Sequence, residues 1–285
     1  TGTSFINTLM LAPGVCPTLD LEPLVCPDCG KLAIQLETQI FPENCPGLSS
    51  YSLRHAGIDE PSLMPGYAAG KGHFMTMLRQ PEQRLISAYQ DMKQCNDYPV
   101  ICNIAAGGGA DGGLVMSNNT SWGGWFSSAM PSLEEMARQQ SGCAVRMLTQ
   151  SGFPCMGLGA GAPAEADVAE ARRRLREGFA FVGITDYWDL SLCLFDAMFK
   201  VGCHDYQFND ARPGEFRKTT NESALHPLEP LNGVTDPYDG ALYAEGLDIM
   251  RENLRKFNVT LDSCEPCWRQ AGLSLEEARG QGFPQ

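Results

Sequence analysis

Apolar positions along this chain alternate between short unbroken runs and the three-to-four spacing of helices. Tyr51 to His55 and His73 to Leu78 are brief apolar runs bounded by Gly and Pro, as buried strands of a parallel sheet are. Each leads into a polar residue, His55 in the first case and Arg79 in the second. Pro81 then supplies a favourable first helical position, and Leu85, Ala88, Tyr89 and Met92 recur at helical spacing through Lys93. Further on, Ser132 and Glu135 form a capping-box pattern that opens a short helix. Ala164 to Gly178 is a helical segment closed by its glycine, Phe179 to Ile184 is an apolar run suited to a central strand, and Trp188 to Phe199 returns to helical spacing. Asp236 and Pro237 make an N-cap and first-turn pair before an amphipathic stretch that ends near Phe257. At the other end of the chain, Thr1 to Met10 reads as a turn entering a helix, which Pro13 prevents from continuing far. Strands alternating with helices predict an α/β fold, a mostly parallel sheet flanked by helices on both faces.

With 285 residues, 43% of them hydrophobic, the chain is read as a single domain over residues 1–285. Residues 96–124, rich in Gly, Ser and Asn and without either hydrophobic period, are read as an irregular surface insertion. No stretch approaches the roughly 20 apolar residues that cross a bilayer. Because the sequence opens at Thr1 inside a motif, an upstream piece is expected to be missing, and any membrane anchor would lie there. The 12 cysteines, several in close pairs (Cys95 with Cys102, Cys143 with Cys155, Cys193 with Cys203), point to disulfides and an oxidising compartment. Sequons at Asn118, Asn119, Asn221 and Asn258 agree with a secretory glycoprotein. A net charge of −13 disfavours nucleic acid or another polyanion as partner, although a local basic pocket is compatible with it. The run Arg172, Arg173, Arg174 and Arg176 is interspersed with Glu165, Asp167, Glu170 and Glu177 and reads as a solvated helix face.

Two segments carry chemistry. Thr1-Gly2-Thr3-Ser4-Phe5 puts a glycine and hydroxyl residues at the entry to a helix, where free backbone N–H groups and the helix dipole attract an anion. The Gly-Lys-Ser/Thr ending of a nucleoside-triphosphatase loop is absent. In the second segment, Met77-Leu78-Arg79-Gln80-Pro81-Glu82-Gln83-Arg84-Leu85-Ile86-Ser87-Ala88-Tyr89, an arginine fork at a strand's carboxyl end and a serine two helical turns later suit a terminal phosphate.

Together these segments resemble the sulfotransferases that use 3′-phosphoadenosine 5′-phosphosulfate, whose hallmark is a T-G-T-S-like loop for the 5′-phosphosulfate and an L-R-x-P-x-x-R-x-x-S-x-Y stretch for the 3′-phosphate. Phe181-Val182-Gly183-Ile184-Thr185 with Ser191-Leu192-Cys193-Leu194-Phe195 is similar to the following strand and helix of Golgi-type members, and Asn209-Asp210-Ala211-Arg212-Pro213-Gly214 to the loop that closes over the nucleotide. The resemblance runs in scattered blocks from Thr1 to about Phe257, specific in the two loops and loose between them. It implies a P-loop nucleoside-triphosphatase-like sulfotransferase fold, a Golgi lumenal or secreted location with a type II anchor in the full-length protein, and the phosphosulfate nucleotide as co-substrate, with no metal. Thr1, Gly2, Thr3, Ser4 and Phe5 would hold the 5′-phosphosulfate, Arg79 and Ser87 the 3′-phosphate, and Arg212 would reach it from the closing loop. The family usually carries a Lys or Arg just before the T-G-T, a position that precedes Thr1.

Sulfuryl transfer needs a base for the acceptor's proton and donors for the charge that grows on the bridging oxygen. Of the four histidines, His55 ends the strand that follows the first phosphate loop, where the carbohydrate sulfotransferases that the chain resembles often carry a catalytic His or Glu. Asp59 and Glu60 are the substitutes; His73 starts its strand, at the end opposite the expected site, and His204 and His226 sit in loops. Arg84 shares a helix face with Ser87, in an exposed or a structural role. Cys26-Pro27-Asp28-Cys29 and Cys264-Glu265-Pro266-Cys267 have the spacing of a zinc site, but an oxidising lumen favours disulfides for such cysteines. A carbohydrate acceptor is expected, with Trp122 and Trp125 of the insertion offering faces for a sugar. The competing readings are a P-loop kinase-like phosphotransferase and a catalytically inactive cysteine-rich binding protein.

Overall fold

The computed structural model describes residues 49–50, 57–61, 66–97, 131–152, 154–155, 161–208 and 231–276. Three parallel strands, β1 (Ser49–Ser50), β2 (Phe74–Leu78) and β3 (Phe179–Ile184), pair in the order β1-β2-β3. Helix α1 (Tyr67–Gly70) precedes β2, and α2 (Pro81–Asp97) follows it. Then come α3 (Leu133–Gln140), α4 (Cys143–Thr149) and α5 (Glu165–Gly178), which leads directly into β3. A 3₁₀ turn (Thr185–Tyr187) joins β3 to α6 (Trp188–Phe199), and α7 (Pro237–Lys256) and α8 (Leu261–Gln270) follow.

Alternation along the strands sorts their side chains into two apolar clusters on opposite faces of the sheet. Met75, Met77 and Phe181 pack with Leu194 and Phe195 of α6, Met250 of α7 and Trp268 of α8. Phe74 and Val182 pack with Val145 of α4 and Ala171 and Leu175 of α5. The helix-covered parallel sheet is therefore as expected. Phe179–Ile184, however, is not the central strand of the described sheet: it pairs with β2 alone, and β2 lies between its neighbours. An unbroken apolar run reports cover on both faces, which helices supply, and not a place in the strand order.

Helix α7 lies close against the carboxyl ends of β2 and β3 because residue 246 is glycine. A Cβ there would come within 2.5 Å of Leu78 Cδ1 and 3.5 Å of Ile184 Cδ1. Its start follows the expected pattern, with Asp236 accepting from the Asp239 N–H at 3.1 Å ahead of Pro237. The cap of α3 also stands, Ser132 Oγ accepting from the Glu135 N–H at 3.2 Å. The arginine run on α5 is a charged outer face that also braces the fold. Arg172 and Arg176 pair with Glu245 of α7, while Arg174 pairs with Asp59 at 2.6 Å and lies 4.8 Å over the Tyr67 ring.

Three disulfides join described residues. Cys143–Cys155 is the expected short bridge, with Cα atoms 5.2 Å apart. Cys193 does not bridge Cys203: it bonds Cys264, and Cys203 bonds Cys267. Cys193 lies mid-helix, so the chain rises away at about 1.5 Å per residue, roughly 9 Å before α6 ends, beyond the roughly 7 Å that a bridge spans. Cys264 and Cys267, three apart on α8, share a face and meet the two partners in succession. Because both are bridged, that Cys-x-x-Cys pair does not hold zinc. The bridges indicate an oxidising environment, secreted or lumenal. Among the described residues, no helix is long and apolar enough to cross a membrane.

Candidate functional site

In a parallel sheet with helical crossovers, ligand sites form beyond the carboxyl ends of the strands. Here β2 and β3 end side by side, Leu78 opposite Ile184. Arg79, half-buried, follows Leu78 directly, as expected. Gln80 turns the chain into α2: its side-chain oxygen accepts from the Gln83 N–H at 2.7 Å, its carbonyl accepts from the Arg84 N–H at 2.9 Å, and its amide nitrogen donates to Glu82. Ser87 is half-buried on α2, two turns beyond Arg79.

On the neighbouring strand, the end of β3 is locked by Ser191 of α6, whose hydroxyl accepts from the Ile184 N–H and donates to the Ile184 carbonyl, each at 2.9 Å. Thr185 follows, buried, and among the described residues its hydroxyl has no hydrogen-bond partner. Asp186 Oδ2 then accepts from the Gln80 N–H at 3.2 Å and from the Tyr243 hydroxyl of α7 at 3.1 Å. Burial and the adjacent Asp186 carboxylate hold the Tyr243 phenol well above its ordinary range, so it remains a donor. Burial raises Tyr187 too, again with Asp186 contributing.

Arg84 has the structural role. Its guanidinium donates to the Gln140 carbonyl at 3.0 Å and pairs with Asp236 at 3.4 Å and Asp239 at 3.1 Å, both carboxylates being almost fully buried. Asp236 also accepts from the Ser141 hydroxyl at 3.0 Å and the Gly142 N–H at 2.9 Å, and Asp239 from the Ala144 and Val145 N–H groups at 3.0 Å each. Burial pushes the Asp239 carboxyl up to about 6, and the Arg84 charge opposes that shift. Glu82 joins the same assembly by accepting from the Asp236 N–H at 3.0 Å. The motif helix is thereby bound to α3, α4 and α7, which fixes the direction in which it leaves the strand end. Arg146 is buried beside this network and donates to the carbonyls of Ser141, Pro154 and Gly161 at 2.8, 3.1 and 3.2 Å.

The substitutes for the base are occupied structurally. Asp59 accepts from the Tyr67 N–H at 2.8 Å and pairs with Arg174, and Glu60 accepts from the Gly152 N–H at 2.9 Å. His73 is exposed just before β2, at the amino end of the strand. Thr1 to Phe5, His55, His226, Arg212, Cys26 and Cys29, and Trp122 and Trp125 lie outside the described residues. Among the described residues, no group of three or more His, Cys, Asp and Glu side chains could hold a metal.

Sequence reasoning missed Asp186, Tyr243 and the partners of Arg84. The position of Asp186 just past an apolar run was a usable signal, since strand-end polar residues face the crevice. Nothing local marked Tyr243, which sits within an ordinary amphipathic helix. Comparison of the chain with protein-family models, with curated proteins and with solved structures finds no match.

Proposed function

We propose that this chain is a sulfotransferase of the Golgi lumen that moves a sulfuryl group from 3′-phosphoadenosine 5′-phosphosulfate to a hydroxyl or amine of a carbohydrate acceptor. The observation that carries the reading is the course of the Leu78–Tyr89 segment: its arginine stands at the carboxyl end of a parallel strand, and its serine lies two turns into the following helix. In the proposed reaction Arg79 and Ser87 hold the 3′-phosphate and Thr1, Gly2, Thr3, Ser4 and Phe5 hold the 5′-phosphosulfate. Arg212 closes from the late loop. His55 takes the acceptor's proton as the acceptor oxygen or nitrogen bonds to sulfur and the bond from sulfur to the bridging oxygen breaks, leaving adenosine 3′,5′-bisphosphate.

Calorimetric titration of the full-length protein with adenosine 3′,5′-bisphosphate, without divalent metal, is expected to give saturable binding. Arg79→Ala should weaken it about 30- to 100-fold, the scale of a lost charge-assisted pair of hydrogen bonds. Unchanged affinity in that variant overturns the assignment, and preference for a nucleoside triphosphate with magnesium turns the reading to a kinase. His55→Ala should lower turnover with a glycan acceptor by roughly 10²-fold or more while nucleotide affinity stays within about twofold. Full turnover without His55 would remove it from the reaction.

A further inference from the structure

We infer that Asp186 is a positioning residue that holds Arg79 in place for the 3′-phosphate, through the peptide that joins Arg79 to Gln80. The inference rests on the nucleotide reading above and adds a residue to its site. Its geometry is a clamp between two strand ends. Leu78 and Ile184 are register partners, and each chain runs on by one residue before Gln80 and Asp186 meet. The Gln80 N–H that donates to Asp186 Oδ2 at 3.2 Å belongs to the planar peptide whose carbonyl carbon is that of Arg79, so anchoring it restrains the backbone of Arg79 directly. The strand ladder grips the preceding residue Leu78, and the helix entry grips Gln80 through Gln83 and Arg84.

Asp186 is itself fixed from a third element. The Tyr243 hydroxyl donates to the same oxygen at 3.1 Å from α7, one turn before the glycine that lets that helix approach the strand ends. A carboxylate beside a phosphate site would by itself repel the ligand. Both donors meet this carboxylate on the oxygen that faces the turn, which suits an orienting role and gives no reason for it to touch phosphate. A guanidinium must meet phosphate oxygens in a fixed fork, so loosening its backbone weakens binding without removing the charge.

The test measures the affinity of the full-length protein for adenosine 3′,5′-bisphosphate and for adenosine 5′-phosphosulfate, which lacks the 3′-phosphate. Asp186→Ala should weaken the bisphosphate about tenfold, the scale of one or two hydrogen bonds, and leave the other nucleotide within twofold. Asp186→Asn keeps an acceptor and should recover most of the loss. Tyr243→Phe, a milder change, should shift affinity in the same direction by about two- to threefold. In an Arg79→Ala background Asp186→Ala should add nothing, because the residue acts only through Arg79. Equal weakening of both nucleotides by Asp186→Ala would reduce Asp186 to a structural role and overturn the inference. So would a wild-type protein that prefers the bisphosphate while Asp186→Ala and Tyr243→Phe lose none of that preference. A wild-type protein indifferent to the 3′-phosphate overturns the nucleotide reading and this inference with it.

Discussion

Replacing Cys193, Cys264, Cys203 and Cys267 together by alanine is expected to remove about 7 kcal/mol of stability, as much as many domains possess. The two loops interlock, each enclosing one cysteine of the other bridge, with sequence separations of 71 and 64 residues. Whichever is present closes a loop of this length in the unfolded chain, which restricts its entropy by about 4 kcal/mol. With one formed, the other closes only a small ring, ten residues along one arm and three along the other, and adds about 3 kcal/mol. Removing either pair alone should therefore cost only about 3 kcal/mol, and removing both more than twice that. Chemical denaturation of the three variants under oxidising conditions checks the ordering. Equal losses from one pair and from both would show that the chain entropy of the unfolded state is not what the bridges control.

Arg84→Ala is expected to destabilise the protein by about 3–5 kcal/mol, the cost of leaving buried carboxylates without their cation. The Arg84 side chain is 17% exposed, against 0% for Asp236 and 4% for Asp239, so water can replace little of what is lost. The Arg138–Glu134 pair, exposed on α3, is the control: Arg138→Ala should change stability by less than about 1 kcal/mol. The deficit of Arg84→Ala should also depend on pH. Asp239 already has its folded pKa raised above the unfolded carboxyl, so the native state holds the proton more tightly and stability falls as pH rises through the interval between them. Without the opposing Arg84 charge the folded value rises further and the fall extends to higher pH. Arg84→Ala should thus lie closer to wild type near pH 5 than at pH 8 in urea denaturation. A deficit that shrinks with rising pH would contradict this account.

Arg84 also illustrates what a motif conceals. In the sequence it stands three residues before Ser87 on the same helix face, with no sign of which groups it meets. In the structure its guanidinium is directed at Asp236 and Asp239, more than 150 residues away along the chain. Its contribution to the site is to hold α2, and with it Ser87, at a fixed angle to the end of β2. The arginines of α5 were legible as a charged helix face because Glu partners recur within the same helix, Glu170 and Glu177 for Arg173. Their links to Glu245 and Asp59 were not, since those depend on how α7 and the turn at residue 59 pack against α5.

What the sequence by itself determined is local. The run Phe74–Leu78, the helix from Pro81, the segment closed by Gly178 with its adjoining strand, and the start of α7 at Asp236 and Pro237 all follow from period and capping, which act over a few residues. The short Cys143–Cys155 bridge was readable for the same reason, the two cysteines lying only 12 residues apart in the chain. Tertiary structure decided which cysteine of α8 meets Cys193, which carboxylates receive Arg84, and that Asp186 and Tyr243 converge on the peptide after Arg79. Each of these depends on the register of β2 against β3 or on the approach of α7 and α8 to the sheet. Those placements are set by shape and burial among residues far apart in the chain, and no local period encodes them.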